Sequence, residues 1–287
     1  MAFLGIDVGG TKVALRAEDG SAEPYETRFE WPHAATVEQD VAALTRHIAA
    51  LTRRIPIGAA GVAMPATVAG GRVVSWPGRS SWVGLDLESA LPGLVPGARV
   101  AYADDGDVAA LAEAHRAGVR NLVYLGVGTG IGGGIVLDGT GIPGPGRGSC
   151  EVGHIVVTHG GRRCDCGRQG CLQAYASGPA TLRRAGAAYP ELQAAWRAGR
   201  AWAVAAVEET CELLATAAIG IAELVRPDLV VIGGGFADGL AGFVPTVARH
   251  AARLARPGHP APRFAAAAHG GRSSLYGAVL LARSMPG

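Results

Sequence analysis

The segment 5–12, GIDVGGTK, contains a short apolar run, a carboxylate at its end, and two glycines before a hydroxyl and a lysine. Turn glycines let backbone N–H groups approach a phosphate, and Thr11 and Lys12 can add a donor and a positive charge. The Walker A spacing GxxxxGK[ST] is absent. A Gly-Gly turn between strands is by itself more often an ordinary hairpin, so its interpretation depends on the rest of the chain.

Two further glycine runs follow apolar segments, GVGTGIGGG at 126–134 and GGG at 233–235. The first contains GxGxxG, but it continues into the strand GIVL instead of opening a helix, so a dinucleotide oxidoreductase is disfavoured. These turns suit one nucleotide held across a cleft, and the arrangement resembles the actin-like, hexokinase-like ATPase fold. The candidate residues for binding ATP and Mg²⁺ are Asp7, Gly9, Gly10, Thr11, Lys12, Thr129, Gly130 and Gly234.

Length and pattern predict two α/β lobes. At 287 residues the chain suits two domains of ordinary size. A β-meander opens the chain, a helix follows at 37–54, the stretch from Pro65 to Trp82 is predicted to be loop, and Asp107 is predicted to cap the next helix. Strand, glycine turn and helix recur in the second half, which predicts a duplicated design. The predicted domains are 1–115, joined by a C-terminal helix at 274–287, and 116–273.

Composition and charge disfavour several classes of protein. Hydrophobic residues make up 49% of the chain and charged residues 17%, a balance typical of a well-buried α/β protein. A net charge of +2 without blocks of like charge is unlike a nucleic-acid-binding surface. The first ten residues have no basic region, and their apolar stretch is too short for a signal peptide or membrane span. We therefore expect a cytoplasmic protein without nucleic-acid or membrane partners.

Residues 151–171 carry the most specific motif in the chain, EVGH followed by CDCGRQGC. His154, Cys164, Cys166 and Cys171 supply ligands of the type and number that a closed tetrahedral zinc site requires. In a reducing compartment, three cysteines this close together are more often a metal site than a disulfide framework. The sequence therefore predicts a structural zinc ion, and the other two cysteines are expected to be small core residues.

Together, DxGGTK, GTGIGGG, ExGH and CxCGxxGCL resemble the ROK family of bacterial sugar kinases and sugar-responsive repressors, over essentially the whole chain. The resemblance implies ATP-dependent phosphorylation of the 6-hydroxyl of a glucose-like sugar, and a homodimer. Repressors of this family carry an additional N-terminal helix-turn-helix domain, whereas the first strand here is predicted at residue 2. A kinase is therefore expected, and a non-catalytic sugar sensor is the alternative.

The resemblance also assigns roles to residues. The family's catalytic aspartate falls on Asp105, and phosphoryl transfer requires such a proton acceptor near the attacking hydroxyl. Asp7 is suited to orienting Mg²⁺ through water. Glu151 and His154 are implied to contact sugar hydroxyls, with His154 also binding zinc, so that the metal fixes the wall of the sugar pocket.

Two departures from the family bear on the substrate. The usual asparagine at the sugar's 3-hydroxyl is Asp104 here, and the usual glutamate near the anomeric end is Gln173. The adjacent carboxylates of Asp104 and Asp105 would repel each other unless a cation lies nearby, and an ammonium group at C3 would supply one. This favours a kinase for the 3-amino sugar kanosamine, in antibiotic biosynthesis. A glucokinase remains the alternative, because Asp104 can also accept from a neutral hydroxyl.

The segment 64–82 departs from the family as well. It has Pro65-Ala66-Thr67 and Pro77-Gly78-Arg79 in place of the usual Pro-Gly and Pro-Asn-Leu, so an asparagine contact to the sugar is missing. Thr67 is retained as a candidate sugar contact, and Arg79 is expected to be exposed.

Overall fold

The computed structural model describes residues 1–20, 23–32, 35–144 and 148–286. The chain divides into two compact units: Met1–Ala112 with Pro143–Ser149 and Arg272–Gly287, and Glu113–Ile142 with Cys150–Gly271. The domain limits 1–115 with 274–287, and 116–273, stay a prediction, and residue 287 lies outside the described part of the chain.

Both units contain β-strands, partly in consecutive runs, separated by helices. The strands are β1 (Ala2–Val8), β2 (Lys12–Glu18), β3 (Tyr25–Glu30), β4 (Ile57–Met64), β5 (Thr67–Ala69), β6 (Arg72–Ser75), β7 (Arg99–Asp104), β8 (Leu122–Val127), β9 (Ile131–Leu137), β10 (Thr140–Ile142), β11 (Leu229–Gly233) and β12 (Arg263–Ala266). The α-helices are α1 (Val37–Thr52), α2 (Leu87–Ala90), α3 (Asp105–Ala117), α4 (Gln173–Ala176), α5 (Gly178–Ala185), α6 (Tyr189–Arg197), α7 (Ala201–Val225), α8 (Gly235–Asp238), α9 (Phe243–Arg253) and α10 (Ser273–Ser284). Short 3₁₀ turns lie at Ser80–Trp82, Pro92–Leu94, Val152–His154 and Gly270–Arg272.

Each unit contains a sheet with the same strand order. In the first unit the order is β3-β2-β1-β4-β7, and in the second it is β10-β9-β8-β11-β12. In both sheets the first three strands in sequence form an antiparallel meander, and the last two are parallel to the meander's first strand. The predicted β-meander and the predicted duplicated α/β design are confirmed.

Helix α1 begins where its capping chemistry allows. The Thr36 side chain accepts from the Gln39 backbone N–H, and the Gln39 side chain accepts from the Thr36 backbone N–H, which forms a capping box. Leu44, Ile48 and Leu51 recur at helical spacing and are buried in the core of the first unit. The helix ends at Thr52, close to its predicted end at residue 54.

Helix α10 lies against the backbone of β1 and β4. A Cβ atom added to Gly61 would lie 2.0 Å from the Ala278 carbonyl oxygen, and one added to Gly5 would lie 2.7 Å from that of Leu275. Glycine is therefore the residue that lets the helix approach the strands this closely. The C-terminal helix is thus part of the first unit's core, where Ala278 packs with Ala63 and Val108.

The core of the second unit is built around α7. Leu214 of this helix is fully buried in one cluster with Val123 of β8, Val230 of β11 and Val247 of α9. Cys211 lies in the same buried cluster, as expected for a small core residue. Among the residues that the structure describes, no helix combines the length and apolar character needed to cross a membrane.

Two local predictions are wrong. The stretch from Pro65 to Trp82 is not all loop, because it contains the β5–β6 ribbon and a 3₁₀ turn that buries Trp82. Asp107 does not cap α3, because the helix begins at Asp105 and the Asp104 side chain accepts from the Gly106 backbone N–H at 2.9 Å. Asp104 therefore takes the capping role that the sequence analysis gave to Asp107.

Replacing Gly61 with alanine tests the approach of α10. We expect Gly61→Ala to lower the free energy of unfolding by about 2–3 kcal/mol, because the added methyl group forces the helix backbone to move. Urea denaturation measures the change. Gly93→Ala is the control, since a Cβ at Gly93 would meet no atom within 4 Å, and a change below about 0.5 kcal/mol is expected. Equal effects of the two substitutions would contradict the packing argument.

Candidate active site

Three carboxylates of the first unit lie at one edge of its sheet. Strands β1, β4 and β7 run parallel, with Asp7 paired to Ala63 and Met64 paired to Asp104. The carboxyl ends of parallel strands are where α/β proteins bind ligands. The strand register therefore brings Asp7 to the same edge as Asp104 and Asp105, two of the residues selected from the sequence.

The carboxyl group of Asp7 has an elevated pKa. Burial and, to a smaller extent, the charge of Asp105 raise the pKa of Asp7 to about 6, against smaller opposing effects of a hydrogen bond from Ser274 and the charge of Lys12. The influence of Asp105 shows that the two carboxylates are electrostatically close. A cation bound between them would relieve the cost of ionising both.

The Asp104 carboxylate is held by the backbone of α3. Its Oδ1 atom accepts from the Gly106 N–H, which fixes the side chain at the helix start. An asparagine could make the same contact through its amide oxygen, but its remaining polar group would be an NH₂ donor. Asp104 instead has a second carboxylate oxygen, which is an acceptor only. Aspartate and asparagine at this position therefore differ in whether this second atom accepts or donates a hydrogen bond.

The Gly9-Gly10 turn between β1 and β2 is tied back into the first unit. The Gly9 N–H donates to the Lys12 carbonyl at 2.9 Å, and the indole Nε1 of Trp31 donates to the Gly9 carbonyl at 2.7 Å. Arg79 Nη1 donates to the Gly10 carbonyl at 3.3 Å. The prediction that Arg79 is exposed is therefore wrong, since its side chain is only 12% exposed and pairs with buried Asp40.

A second glycine turn links β8 to β9 in the second unit, in the residues 128–130. It is closed by the Gly128 N–H donating to the Gly130 carbonyl at 2.9 Å, and the chain continues into a strand as the sequence indicated. Gly234 lies beside this turn, because a Cβ there would be 2.6 Å from the Val127 backbone. The structure thus brings together Thr129, Gly130 and Gly234, which the sequence analysis grouped as nucleotide-binding candidates.

Gln173 contacts the same turn. Its Oε1 atom accepts from the Ile131 N–H at 2.9 Å, and a Cβ on Gly130 would lie 2.7 Å from that oxygen. This side-chain oxygen therefore supports the glycine turn. Its role as a sugar contact, which the sequence analysis assigned by resemblance, stays a prediction.

The four predicted zinc ligands converge in the second unit. The ligand atoms of His154, Cys164, Cys166 and Cys171 all lie within 4.8 Å of one another. Cys164 Sγ is 3.7 Å from His154 Nδ1, and Cys166 Sγ is 3.7 Å from Cys171 Sγ. A tetrahedron of thiolates around zinc at about 2.3 Å has edges of roughly 3.8 Å, so these separations fit the ion.

The electrostatics of this cluster also favour a cation. Burial and the neighbouring thiols raise the pKa of Cys171 to about 11, whereas the Arg168 backbone N–H lowers the pKa of Cys166. The loop is shaped by Gly170, whose φ is +84° and whose Cβ would lie 1.8 Å from the Thr158 carbonyl oxygen. A tight backbone turn therefore brings together cysteines whose thiolate forms a bound metal ion would stabilise.

Glu151 lies beside the cluster, as its position in the sequence suggested. Its Oε2 atom is 3.9 Å from His154 Nε2, the ring nitrogen opposite the one that faces Cys164. The Glu151 side chain is 51% exposed, and that of His154 is 22% exposed. Thr67 is exposed at the start of β5, where it pairs with Ser75, and its role as a sugar contact stays a prediction.

Sequence reasoning missed Asp40 and Trp31. Asp40 lies on the face of α1 that carries Leu44, Ile48 and Leu51, at four-residue spacing from Leu44. A carboxylate on the apolar face of a helix indicates a buried ion pair, and this was the available signal. Nothing in the sequence pattern connects Trp31 with the glycine turn.

Comparison with known proteins identifies the family. A model of the ROK family matches residues 3–285. The chain belongs to the ROK family. Among curated relatives, a kanosamine kinase from Amycolatopsis mediterranei (strain S699) is 55% identical over 288 residues, which cover 97% of this chain and 95% of that protein.

Solved ROK structures share the fold of this chain. A ROK hexokinase from Thermus thermophilus superposes with a TM-score of 0.88 at 29% identity, covering 99% of this chain and 98% of that one. A ROK glucokinase from Streptomyces griseus, in complex with glucose and AMPPNP, superposes with a TM-score of 0.82 at 26% identity, covering 99% and 100% of the two chains. The predicted α/β, actin-like and hexokinase-like fold class is confirmed.

The elevated pKa of Asp7 predicts a stabilising substitution. Because the folded-state pKa of about 6 lies above the ordinary 3.8, the folded protein binds more protons between these values, and stability falls as pH rises through this window. Asp7→Asn removes the charge. In magnesium-free buffer it is expected to raise the free energy of unfolding at pH 7 by about 1–3 kcal/mol, and by less at pH 5.

Urea denaturation at both pH values measures the effect of Asp7→Asn. Asp138→Asn is a control, because Asp138 has a φ of +51°, which asparagine tolerates, and is exposed. It should leave the pH dependence unchanged. A lower stability of Asp7→Asn than of the wild type at pH 7 would show that the ionised Asp7 carboxylate does not destabilise the folded protein.

Metal analysis tests the zinc site. The purified protein is expected to contain one zinc per chain, and Cys166→Ser to lose it. Cys166 is exposed whereas Cys164 and Cys171 are buried, so this substitution costs little packing. Stability should fall by about 3 kcal/mol or more, because a metal at a hundred times its dissociation constant stabilises by that amount. Cys150→Ser should keep its zinc, and active wild-type protein free of zinc would refute the assignment.

Proposed function

We propose that this chain transfers the γ-phosphate of ATP to the 6-hydroxyl of kanosamine. The observation that carries the proposal is the 55% identity, over nearly the whole of both chains, to a kanosamine kinase. The carboxylate pair at the end of β7, Asp104 and Asp105, provides a chemical reason for the protein to prefer a sugar that carries an ammonium group. ATP as the phosphate donor is supported by the ROK glucokinase that binds AMPPNP.

The reaction requires one proton acceptor and residues that bind the triphosphate of ATP in a fixed position. Asp105 accepts the proton of the sugar's 6-hydroxyl while the oxygen of that hydroxyl forms a bond to the γ-phosphorus. The bond from that phosphorus to the β,γ-bridging oxygen breaks, and ADP leaves. In the first unit the Gly9-Gly10 turn, Thr11 and Lys12 bind phosphate. In the second unit Thr129, Gly130 and Gly234 bind the nucleotide.

The choice of sugar follows from Asp104. A 3-ammonium group has three donors and no acceptor, so the second oxygen of Asp104 can accept from it, whereas the NH₂ group of an asparagine would oppose it. A charge-assisted contact of this kind is worth roughly 1.5–3 kcal/mol, or about 10- to 150-fold in kcat/KM. Glu151, His154, Gln173 and Thr67 are the other proposed sugar contacts.

Two metal ions have separate roles in the proposal. Magnesium bound with ATP supplies charge neutralisation on the phosphates, and Asp7 would orient it through water, which fits the charge-crowded position of that carboxylate. Zinc would supply no chemistry; held by His154 and the three cysteines, it would fix the position of His154 and thereby of the neighbouring Glu151. A homodimer, a cytoplasmic location and a place in antibiotic biosynthesis complete the proposal.

The test compares two sugars. ADP release is measured for kanosamine and glucose in a coupled assay. The wild type is expected to prefer kanosamine by about tenfold or more in kcat/KM, and Asp104→Asn to lose most of that preference with little change for glucose. Asp105→Asn should lose turnover and keep sugar binding.

Asp138→Asn is the charge-matched control and should retain both the rate and the preference. Equal kcat/KM values for the two sugars, or a preference for glucose, would favour a glucokinase instead. Sugar binding without turnover in the wild type would favour a non-catalytic sensor. Unchanged turnover in Asp105→Asn would remove that residue from its proposed role.

A further inference from the structure

The first unit contains a buried ion pair that the proposed reaction does not use. Asp40 of α1 is fully buried, and Arg79, from the segment between β6 and α2, is 12% exposed. The guanidinium Nε and Nη2 atoms donate to the two carboxylate oxygens of Asp40, and Trp82 Nε1 donates to Asp40 Oδ2 at 2.8 Å. A buried ion pair is often no more stabilising than apolar residues of similar volume, so its presence calls for another role.

The third guanidinium nitrogen of Arg79 reaches the glycine turn. Arg79 Nη1 donates to the Gly10 carbonyl at 3.3 Å, and the guanidinium lies 4.6 Å from the ring centroid of Trp31. Trp31 in turn donates through its indole to the Gly9 carbonyl at 2.7 Å, and through its backbone N–H to the Thr11 carbonyl at 3.1 Å. Three consecutive carbonyls, from Gly9 to Thr11, therefore accept hydrogen bonds from Arg79 or Trp31.

Fixing these carbonyls fixes the direction of the neighbouring N–H groups. In a planar trans peptide, the carbonyl of one residue and the N–H of the next point in opposite directions. When the Gly9 and Gly10 carbonyls face Trp31 and Arg79, the N–H groups of Gly10 and Thr11 face the other side of the turn. Glycine residues would otherwise sample many backbone directions, and a phosphate requires N–H groups that converge.

We infer that Arg79, held in place by Asp40, is a positioning residue for the phosphates of ATP. It acts through the Gly10 carbonyl. The inference rests on the proposed function only in taking the Gly9-Gly10 turn as part of the nucleotide site. Lysine cannot take the place of Arg79, because the planar guanidinium contacts the Asp40 carboxylate and the Gly10 carbonyl at once, whereas an ammonium is a point charge.

Arg79→Lys tests the inference in the full chain with its zinc. The dissociation constants of Mg·ADP and of kanosamine are measured separately by calorimetry, and KM for ATP by the coupled assay. We expect Mg·ADP binding to weaken and KM for ATP to rise by about tenfold, while kanosamine binding changes by less than about twofold. A merely structural role would weaken both ligands together.

Arg72→Lys is the matched control. Arg72 also pairs with an aspartate, Asp86, at 3.1 Å and donates to a glycine carbonyl, that of Gly84, at 3.2 Å, but it does not contact the Gly9-Gly10 turn. It should bind Mg·ADP as the wild type does. Equal loss of Mg·ADP affinity in Arg72→Lys and Arg79→Lys would overturn the inference.

A double variant covers the case in which Arg79→Lys does not fold. Asp40→Leu with Arg79→Met replaces the pair by apolar side chains of similar volume, which buried pairs often tolerate. The same selective loss of Mg·ADP affinity is expected, and wild-type affinity in either folded variant would overturn the inference. If the wild type binds Mg·ADP but turns over neither sugar, the proposed function fails while this comparison of nucleotide affinities still decides the role of Arg79.

Discussion

Helix α10 touches the backbone of β1 and β4 through Gly5 and Gly61, and the position of the sheet edge that carries Asp7 and Asp104 depends on this contact. The close approach fixes the three parallel strands β1, β4 and β7 against one helix, with Ala63, Val108 and Ala278 filling the small space between them. Because β1 and β7 end at the same edge, Asp7 near the end of β1 and Asp104 at the end of β7 both lie at that edge. Ser274, at the start of α10, also hydrogen-bonds to Asp7. A packing constraint among small residues thus sets the electrostatics of the proposed site.

That edge concentrates negative charge. Burial and the proximity of Asp105 raise the pKa of the Asp7 carboxyl to about 6, and the charge of Lys12 opposes this only in part. Carboxylates crowded in this way lower the stability of the folded protein. They favour the binding of reactants that carry or bring cations. Magnesium with the nucleotide and an ammonium on the sugar would each lower the cost. Stability of the free protein and affinity for charged ligands are therefore linked at the same residues.

Much of this could be predicted from the sequence, because the informative signals are local. Glycine runs after apolar strands located both turns, and the spacing of His154 and the cysteines located the metal cluster, since such ligands must be close in space. The pairing of Asp40 with Arg79 was not predicted, because 39 residues separate them and the position of Asp40 on the apolar face of α1 indicates burial without indicating the partner. Asp104 was selected for its charge, but its hydrogen bond to Gly106 depends on where α3 begins, and helix ends are poorly determined by pattern. The β5–β6 ribbon was missed because its short strands lie among turn residues.

The order of assembly along the chain follows from the place of α10. The second unit is one continuous stretch of sequence interrupted only by the residues 143–149, whereas the first unit is completed only by the segment that begins at Arg272. During synthesis on the ribosome, strands β1 and β4 emerge early and must wait for the last helix before their apolar face is covered. The nascent first unit therefore spends most of translation with that face open to chaperones, while the second unit can fold as it emerges.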